Sequence, residues 1–140
     1  MRLSTRDCRG RMASARVARL ATAGADGKPH LVPVTFAVVG DLVVTAVDQK
    51  PKSTTDLKRL RNIAANPAVA VLCDQYDEDW TRLWWVRADG RAEILADGDD
   101  RSGAIASLVA KYPQYEVDPP RGPVIAITVT TWSGWSATAG

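Results

Sequence analysis

The chain has 140 residues, 46% of them hydrophobic, and its 18 basic residues against 16 acidic ones give a net charge of +2. That length suits one domain with a real core, and the near-balance of charge argues against a general nucleic-acid binder. No apolar run approaches a membrane span and the N-terminal segment lacks the apolar block of a secretory signal, so the expected location is the cytoplasm.

The first element expected is a short helix over residues 3–15, with Ser4 and Asp7 as its cap pair and Cys8, Met12 and Ala15 on one face. The period then changes. Residues 16–22 read as a strand, and Asp26-Gly27 as the turn of a tight hairpin. A long strand follows over 30–39 with Pro33 in its middle. Proline cannot donate to a sheet ladder, so Pro33 belongs at an edge, at a bulge or where backbone faces a ligand. Gly40-Asp41 turns the chain into a third strand over 42–47. A helix is expected over 54–65, stopped by Asn66-Pro67.

Further strands are expected over 68–73 and 82–95, the second bent at Asp89-Gly90, with an acidic loop between them. A second amphipathic helix spans 97–111, a proline-rich loop 112–123 and a last strand 124–130. Six strands with short helices between them predict a mainly β (α+β) chain folded as a small antiparallel barrel. Cys8 and Cys73 form no Cys-x-x-Cys pair and His30 is the single histidine, so neither a zinc site nor a Cys–His nucleophile is supported.

The stretch DQKPKSTTDLKRLRN is electrostatically unusual. Ser53 followed by Asp56 reads as a helix cap with its capping-box acid. A helix start is already partly positive, yet Lys50 and Lys52 precede it and Lys58, Arg59 and Arg61 follow. The second helix obeys the opposite order, from Asp97, Asp99 and Asp100 to Lys111. The exception calls for a counter-charge, and backbone N–H groups, Lys50, Lys52 and the Ser53 hydroxyl together suit a phosphate. Arg59 or Arg61 suits a second anionic group, whereas Lys58 reads as a solvated surface cation. A flat ring can then lie across Pro33, Val34, Thr35 and Phe36 on one strand and Thr45, Ala46 and Val47 on the next, though Val34 and Phe36 equally suit core packing.

Five tryptophans complete the pattern: Trp80, Trp84, Trp85, Trp132 and Trp135. Adjacent Trp84 and Trp85 in a strand point to opposite faces, so one enters a core while the other meets a partner or ligand.

The run Arg19-Leu-Ala-Thr22, Asp26-Gly-Lys-Pro-His30, Pro33-Val34-Thr-Phe36, Lys50-Pro-Lys52, Arg61-Asn62 and Asn66-Pro67, continued through Trp84-Trp-Val-Arg to Trp132-Ser-Gly-Trp135, resembles the pyridoxamine-5′-phosphate-oxidase-like flavin and deazaflavin enzymes. Its shortness and Trp-rich ending look most like the branch that uses coenzyme F420; the arginine-rich tail of the true pyridoxamine oxidases is missing. The resemblance implies a six-stranded split β-barrel of the FMN-binding type, paired as a homodimer with cofactor sites at the subunit interface. Residue by residue, it puts the ring against Pro33, Val34, Thr35, Phe36, Thr45, Ala46 and Val47 and the phosphate at Lys50, Lys52 and Ser53. Arg59 and Arg61 are candidates for an acidic tail, and Trp80 would close the partner's pocket. It implies F420-dependent hydride transfer to a conjugated small molecule such as an enone or quinone, with FMN as the alternative cofactor. Two rival readings stand beside it: a non-catalytic binder of haem, flavin or a tetrapyrrole, and a nucleic-acid-binding barrel with a steep salt dependence.

Overall fold

The computed structural model describes residues 1–47 and 57–138. Helix α1 (Thr5–Ser14) is capped by Ser4, whose Oγ accepts a hydrogen bond from the Asp7 N–H at 3.1 Å, and it buries Cys8 and Met12 as its spacing predicts. Strands β1 (Ala18–Ala23) and β2 (Pro29–Val34) pair antiparallel around a turn in which Gly27 takes φ 72°, a conformation that favours glycine. Strands β3 (Ala37–Val39) and β4 (Leu42–Ala46) form a second hairpin. Helix α2 (Lys58–Ala65) follows, then strands β5 (Ala68–Gln75) and β6 (Trp84–Leu95), with one 3₁₀ turn (Trp80–Arg82) between these two strands. Helices α3 (Asp99–Lys111) and α4 (Gln114–Val117) precede the last strand, β7 (Val124–Ser136).

These strands make one antiparallel sheet in the order β2-β1-β5-β6-β7-β4-β3. Only Thr35 and Phe36 separate β2 from β3, yet the two strands lie at opposite edges. Three Cα–Cα steps reach roughly 11 Å at most, so the sheet must curl until its edges nearly meet. The result is the expected barrel, split along a seam where β2 and β3 approach without pairing. The strand count is corrected from six to seven. Residues 30–39 do not form one strand because the Phe36 N–H turns to the Tyr112 hydroxyl at 3.1 Å instead of a neighbouring strand. Pro33 sits on an edge strand, as its missing N–H requires.

Three further expectations are corrected. Helix α2 begins at Lys58, not residue 54, with Leu57 ahead of it extended (φ −82°, ψ 147°); the expected Ser53 cap and its Asp56 partner lie outside the described residues. The loop over 112–123 contains α4. Strand β7 continues past Thr130 to Ser136 because it pairs with β6 along its whole length, from Trp84↔Ser136 to Leu95↔Val124. The expected irregularity at Asp89-Gly90 is present as a shift in that register.

Leu20, Phe36, Val43, Val71, Val86 and Ile127 fill the barrel under α1. On the outer surface, α3 covers β4 and β7 by packing Ala104, Leu108 and Tyr112 on Val44, Ala46, Val124 and Ala126. No described helix covers the outer surface of β1, β2, β5 and the start of β6, where Leu31, Leu72 and Trp85 are exposed, with Trp135 of β7 exposed beside Trp85. No helix among the described residues is long and apolar enough to cross a membrane.

Candidate cofactor site

The seam brings together the two strand segments singled out by the sequence. Thr45 Oγ1 donates to the Thr35 carbonyl at 2.7 Å, tying β4 to the β2–β3 junction. Pro33 is exposed and Thr35 half-buried, whereas Val34, Phe36, Thr45, Ala46 and Val47 are buried. A ring at this place would therefore meet Pro33, Thr35 and strand backbone, with the buried side chains supporting it from below. Val47 is anchored by its N–H on the Pro123 carbonyl at 2.9 Å. Gly122 lies so close to it that an added Cβ would stand 2.5 Å from the Val47 carbonyl oxygen.

Two phenols missed by the sequence reading clamp the same seam. The Tyr112 hydroxyl accepts from the Phe36 N–H and donates to the Arg16 carbonyl at 3.0 Å, so one hydroxyl ties the strand break to the connection between α1 and β1. The Tyr115 hydroxyl shares a 2.7 Å hydrogen bond with Thr35 Oγ1. The Arg16 guanidinium lies 4.8 Å from the centre of the Tyr112 ring. Together Arg16, Thr35, Tyr112, Gln114 and Tyr115 line a cavity of about 360 Å³. The sequence carried one signal for this: two tyrosines three apart at the end of an amphipathic helix.

Lys50, Lys52 and Ser53 lie outside the described residues. What the structure does describe is the helix after them. The first turn of α2 holds Lys58, Arg59 and Arg61 and no acidic residue, whereas α3 begins with Asp99 and Asp100 and ends with Lys111. The charge inversion read in the sequence thus belongs to a real helix start, displaced by a few residues. Arg59 is half-buried and has no carboxylate partner among the described residues; burial holds its pKa below the ordinary value. Arg61 is exposed. Buried Asn62 anchors the helix to the barrel, its Nδ2 donating to the buried Thr22 Oγ1 at 3.0 Å.

Trp80 stands away from the seam's own contacts, on the 3₁₀ turn and 68% exposed, with its Nε1 donating to the Tyr76 hydroxyl at 3.4 Å. Trp84 packs against the core under the Arg11 guanidinium, and Trp85 faces out, as the strand period requires. Trp132 donates to Asp41 Oδ1 at 2.9 Å, which also receives Arg9; these two bonds hold the Asp41 carboxyl below its usual range. Among the described residues no cluster of His, Cys, Asp and Glu could hold a metal ion.

The fold is shared with solved proteins. A conserved hypothetical protein from Mycobacterium tuberculosis superposes with a TM-score of 0.79 at 21% identity, over 96% of this chain and 86% of that one. A FAD-binding protein from Mesorhizobium loti matches at 0.73 and 24%, over 96% and 95%. A haem-binding protein from Mycobacterium smegmatis matches at 0.71 and 21%, over 94% of this chain and 57% of that one. At these identities the likeness is one of fold. The model of a sequence family described as pyridoxamine 5′-phosphate oxidase matches residues 4–136. The chain belongs to that family. No curated protein matches it. Membership in the pyridoxamine 5′-phosphate oxidase family accounts for the split barrel and for the order of the sequence motifs along it, from Arg19 to Trp135. Its solved relatives in fold include a FAD-binding and a haem-binding protein, so the fold alone does not choose among ligands.

Proposed function

We propose that this protein is an oxidoreductase that binds coenzyme F420 and transfers a hydride between it and a conjugated small molecule, an enone or quinone. The observation that carries the reading is the cationic first turn of α2, with half-buried Arg59 lacking a carboxylate partner among the described residues, directly after the segment that holds Lys50, Lys52 and Ser53. A buried cation without a partner is costly, and an anionic cofactor tail supplies the missing charge. These residues therefore fit a group with a phosphate and further acidic charge. Lys50, Lys52 and Ser53 would hold the phosphate, Arg59 and Arg61 the acidic tail, and Pro33, Val34, Thr35, Phe36, Thr45, Ala46 and Val47 would support the ring.

When bound, the deazaflavin supplies the redox chemistry. The chain's own residues orient and shield: the Thr45–Thr35 bond and the Tyr112 and Tyr115 hydroxyls fix the seam against which a ring rests. Hydride transfer from a bound cofactor needs no acid–base dyad of the chain, because positioning does most of the work. FMN is the second reading, supported by the FAD-binding proteins that share this fold. A non-catalytic haem binder is the third, supported by the haem-binding one.

The same reading makes the protein a homodimer in which Trp80 of one protomer closes the pocket of the other. Its support is the uncovered outer sheet, where Leu31, Ala21 and Ala70 stand side by side in register and Trp85 pairs with Trp135. The test is a side-by-side fluorescence titration of wild type, Lys50→Ala/Lys52→Ala and Arg59→Ala with F420, FMN and haem. F420 should bind tightest, and each lost charge-assisted contact should cost about 1.5–3 kcal/mol. Equal binding of the three compounds would overturn the cofactor choice; undiminished binding by the variants would overturn the anion site.

A further inference from the structure

Another concavity of the molecule opens away from the Thr35–Thr45 contact and reaches β3 only at Val39. It lies on the outer surface of the sheet, where the first turns of α3 diverge from β4, β6 and β7, and has a volume of about 410 Å³, within the ~300–1,000 Å³ of small-molecule sites. From β4 it takes Leu42 and Val44, so it begins at the opposite end of that strand from Val47 and the segment assigned to the cofactor.

Its walls divide by chemistry. Val44, Leu95, Ala104 and Ala126 form an apolar floor, and Glu93, Asp99 and Asp100 stand exposed around it. Among the described residues no lysine, arginine or histidine lines it, in a chain of net charge +2. Among the described residues none of the three carboxylates forms an ion pair or a side-chain hydrogen bond. Arg101, the nearest base along α3, is turned away and donates to the Pro120 and Gly122 carbonyls instead. Asp99 and Asp100 have an ordinary reason to be there, since they complement the α3 dipole. Glu93 has no such reason: it projects from β6 beside Ala126, and Arg91, two residues before it on the same face, neither lines the cavity nor forms an ion pair with it. Gly103 keeps the helix wall open, with nothing within 4 Å of where its Cβ would be.

We propose that this cavity binds an organic cation, a protonated amine carried on a small apolar body. The floor takes the body, and Glu93 with Asp100 takes the ammonium. An anionic ligand is excluded by three like charges, and a neutral one leaves them uncompensated.

Phenethylamine and its neutral isostere 2-phenylethanol separate these cases by NMR titration of the full chain at neutral pH. The amine should shift the amides of Gly103, Ser107 and Ala126 and bind about tenfold more tightly than the alcohol. Glu93→Gln/Asp100→Asn should erase that difference while both ligands still bind. Gly103→Leu, which adds a good helix former and fills the space, should weaken both about tenfold. Equal affinity for amine and alcohol in the wild type, shifts confined to other residues, or an unchanged titration in Gly103→Leu would each overturn the proposal. The F420 titration is unmoved by these variants on this view, so its failure and the failure of the amine site are separate results.

Discussion

The Lys111 ammonium lies 3.8 Å from the centre of the Phe36 ring, and its nitrogen is shut off from water without a hydrogen-bond acceptor. Burial, reinforced by the charge of Arg16, pushes its pKa down from 10.5 to about 8; Cys73 acts weakly in the other direction. In the range between those values the unfolded chain holds a proton that the folded protein has released, so stability rises with pH from about 8 upward. Cys73 opposes this at higher pH. Burial raises its thiol from 9.0 to about 12, so the folded state keeps a proton that the unfolded chain loses, and stability falls above pH 9.0. Urea denaturation across this range should show a rise that flattens near pH 9.0, and Lys111→Met should remove the rise. A flat profile in the wild type would contradict the buried ammonium.

Tyr112→Phe leaves the Phe36 N–H without its acceptor inside the protein while keeping the ring. The expected loss is about 1–3 kcal/mol in urea unfolding, more than the loss of an exposed hydroxyl. Tyr115→Phe removes only one side chain–side chain bond at a half-buried place and should cost less.

Gly90 marks the register shift in β6, and a Cβ there would stand 2.3 Å from the Thr128 carbonyl oxygen. Because the obstacle is backbone of the paired strand, Gly90→Ala should destabilise by about 2 kcal/mol or more. Gly10 in α1 has open space around it, so Gly10→Ala should instead stabilise by about 0.5–1 kcal/mol. Thermal unfolding of the pair compares the two directly.

If the uncovered outer sheet joins two protomers, a charge in its middle should part them. Ala70→Glu places a carboxylate between Ala21 of β1 and Asp89 of β6. Sedimentation should then show monomer for Ala70→Glu and dimer for wild type. A wild-type monomer would remove the homodimer from the proposed function.

Much of this molecule is written in local pattern. Alternating burial in β1, from Ala18 inside to Arg19 outside, follows the period of a strand, and the Ser4 cap and Gly40 turn stand where their residue types put them. The strand end at Thr130 was not legible, because small and polar residues from Thr130 to Ser136 carry no alternation strong enough to read; only the partner strand β6 extends the pairing. The α2 start was misread for a related reason. Ser53 and Asp56 form a good cap pattern, but extended Leu57 intervenes before the described helix.

Local pattern in the sequence set most of the strands and helices, the faces they bury, the family motifs and the unusual gathering of cations before Asn62, but not the break at Thr35-Phe36, α4, the start of α2 or the end of β7. The properties it set depend on neighbours within a few residues, where steric and periodic preferences act. The tertiary structure decided the split seam, the two tyrosines that clamp it, the buried Lys111 and the acidic cavity beside α3. Phe36 and Tyr112 are 76 residues apart, and only the curling of the sheet brings that N–H to that hydroxyl. No local preference encodes such a meeting, because it depends on how every intervening strand is paired.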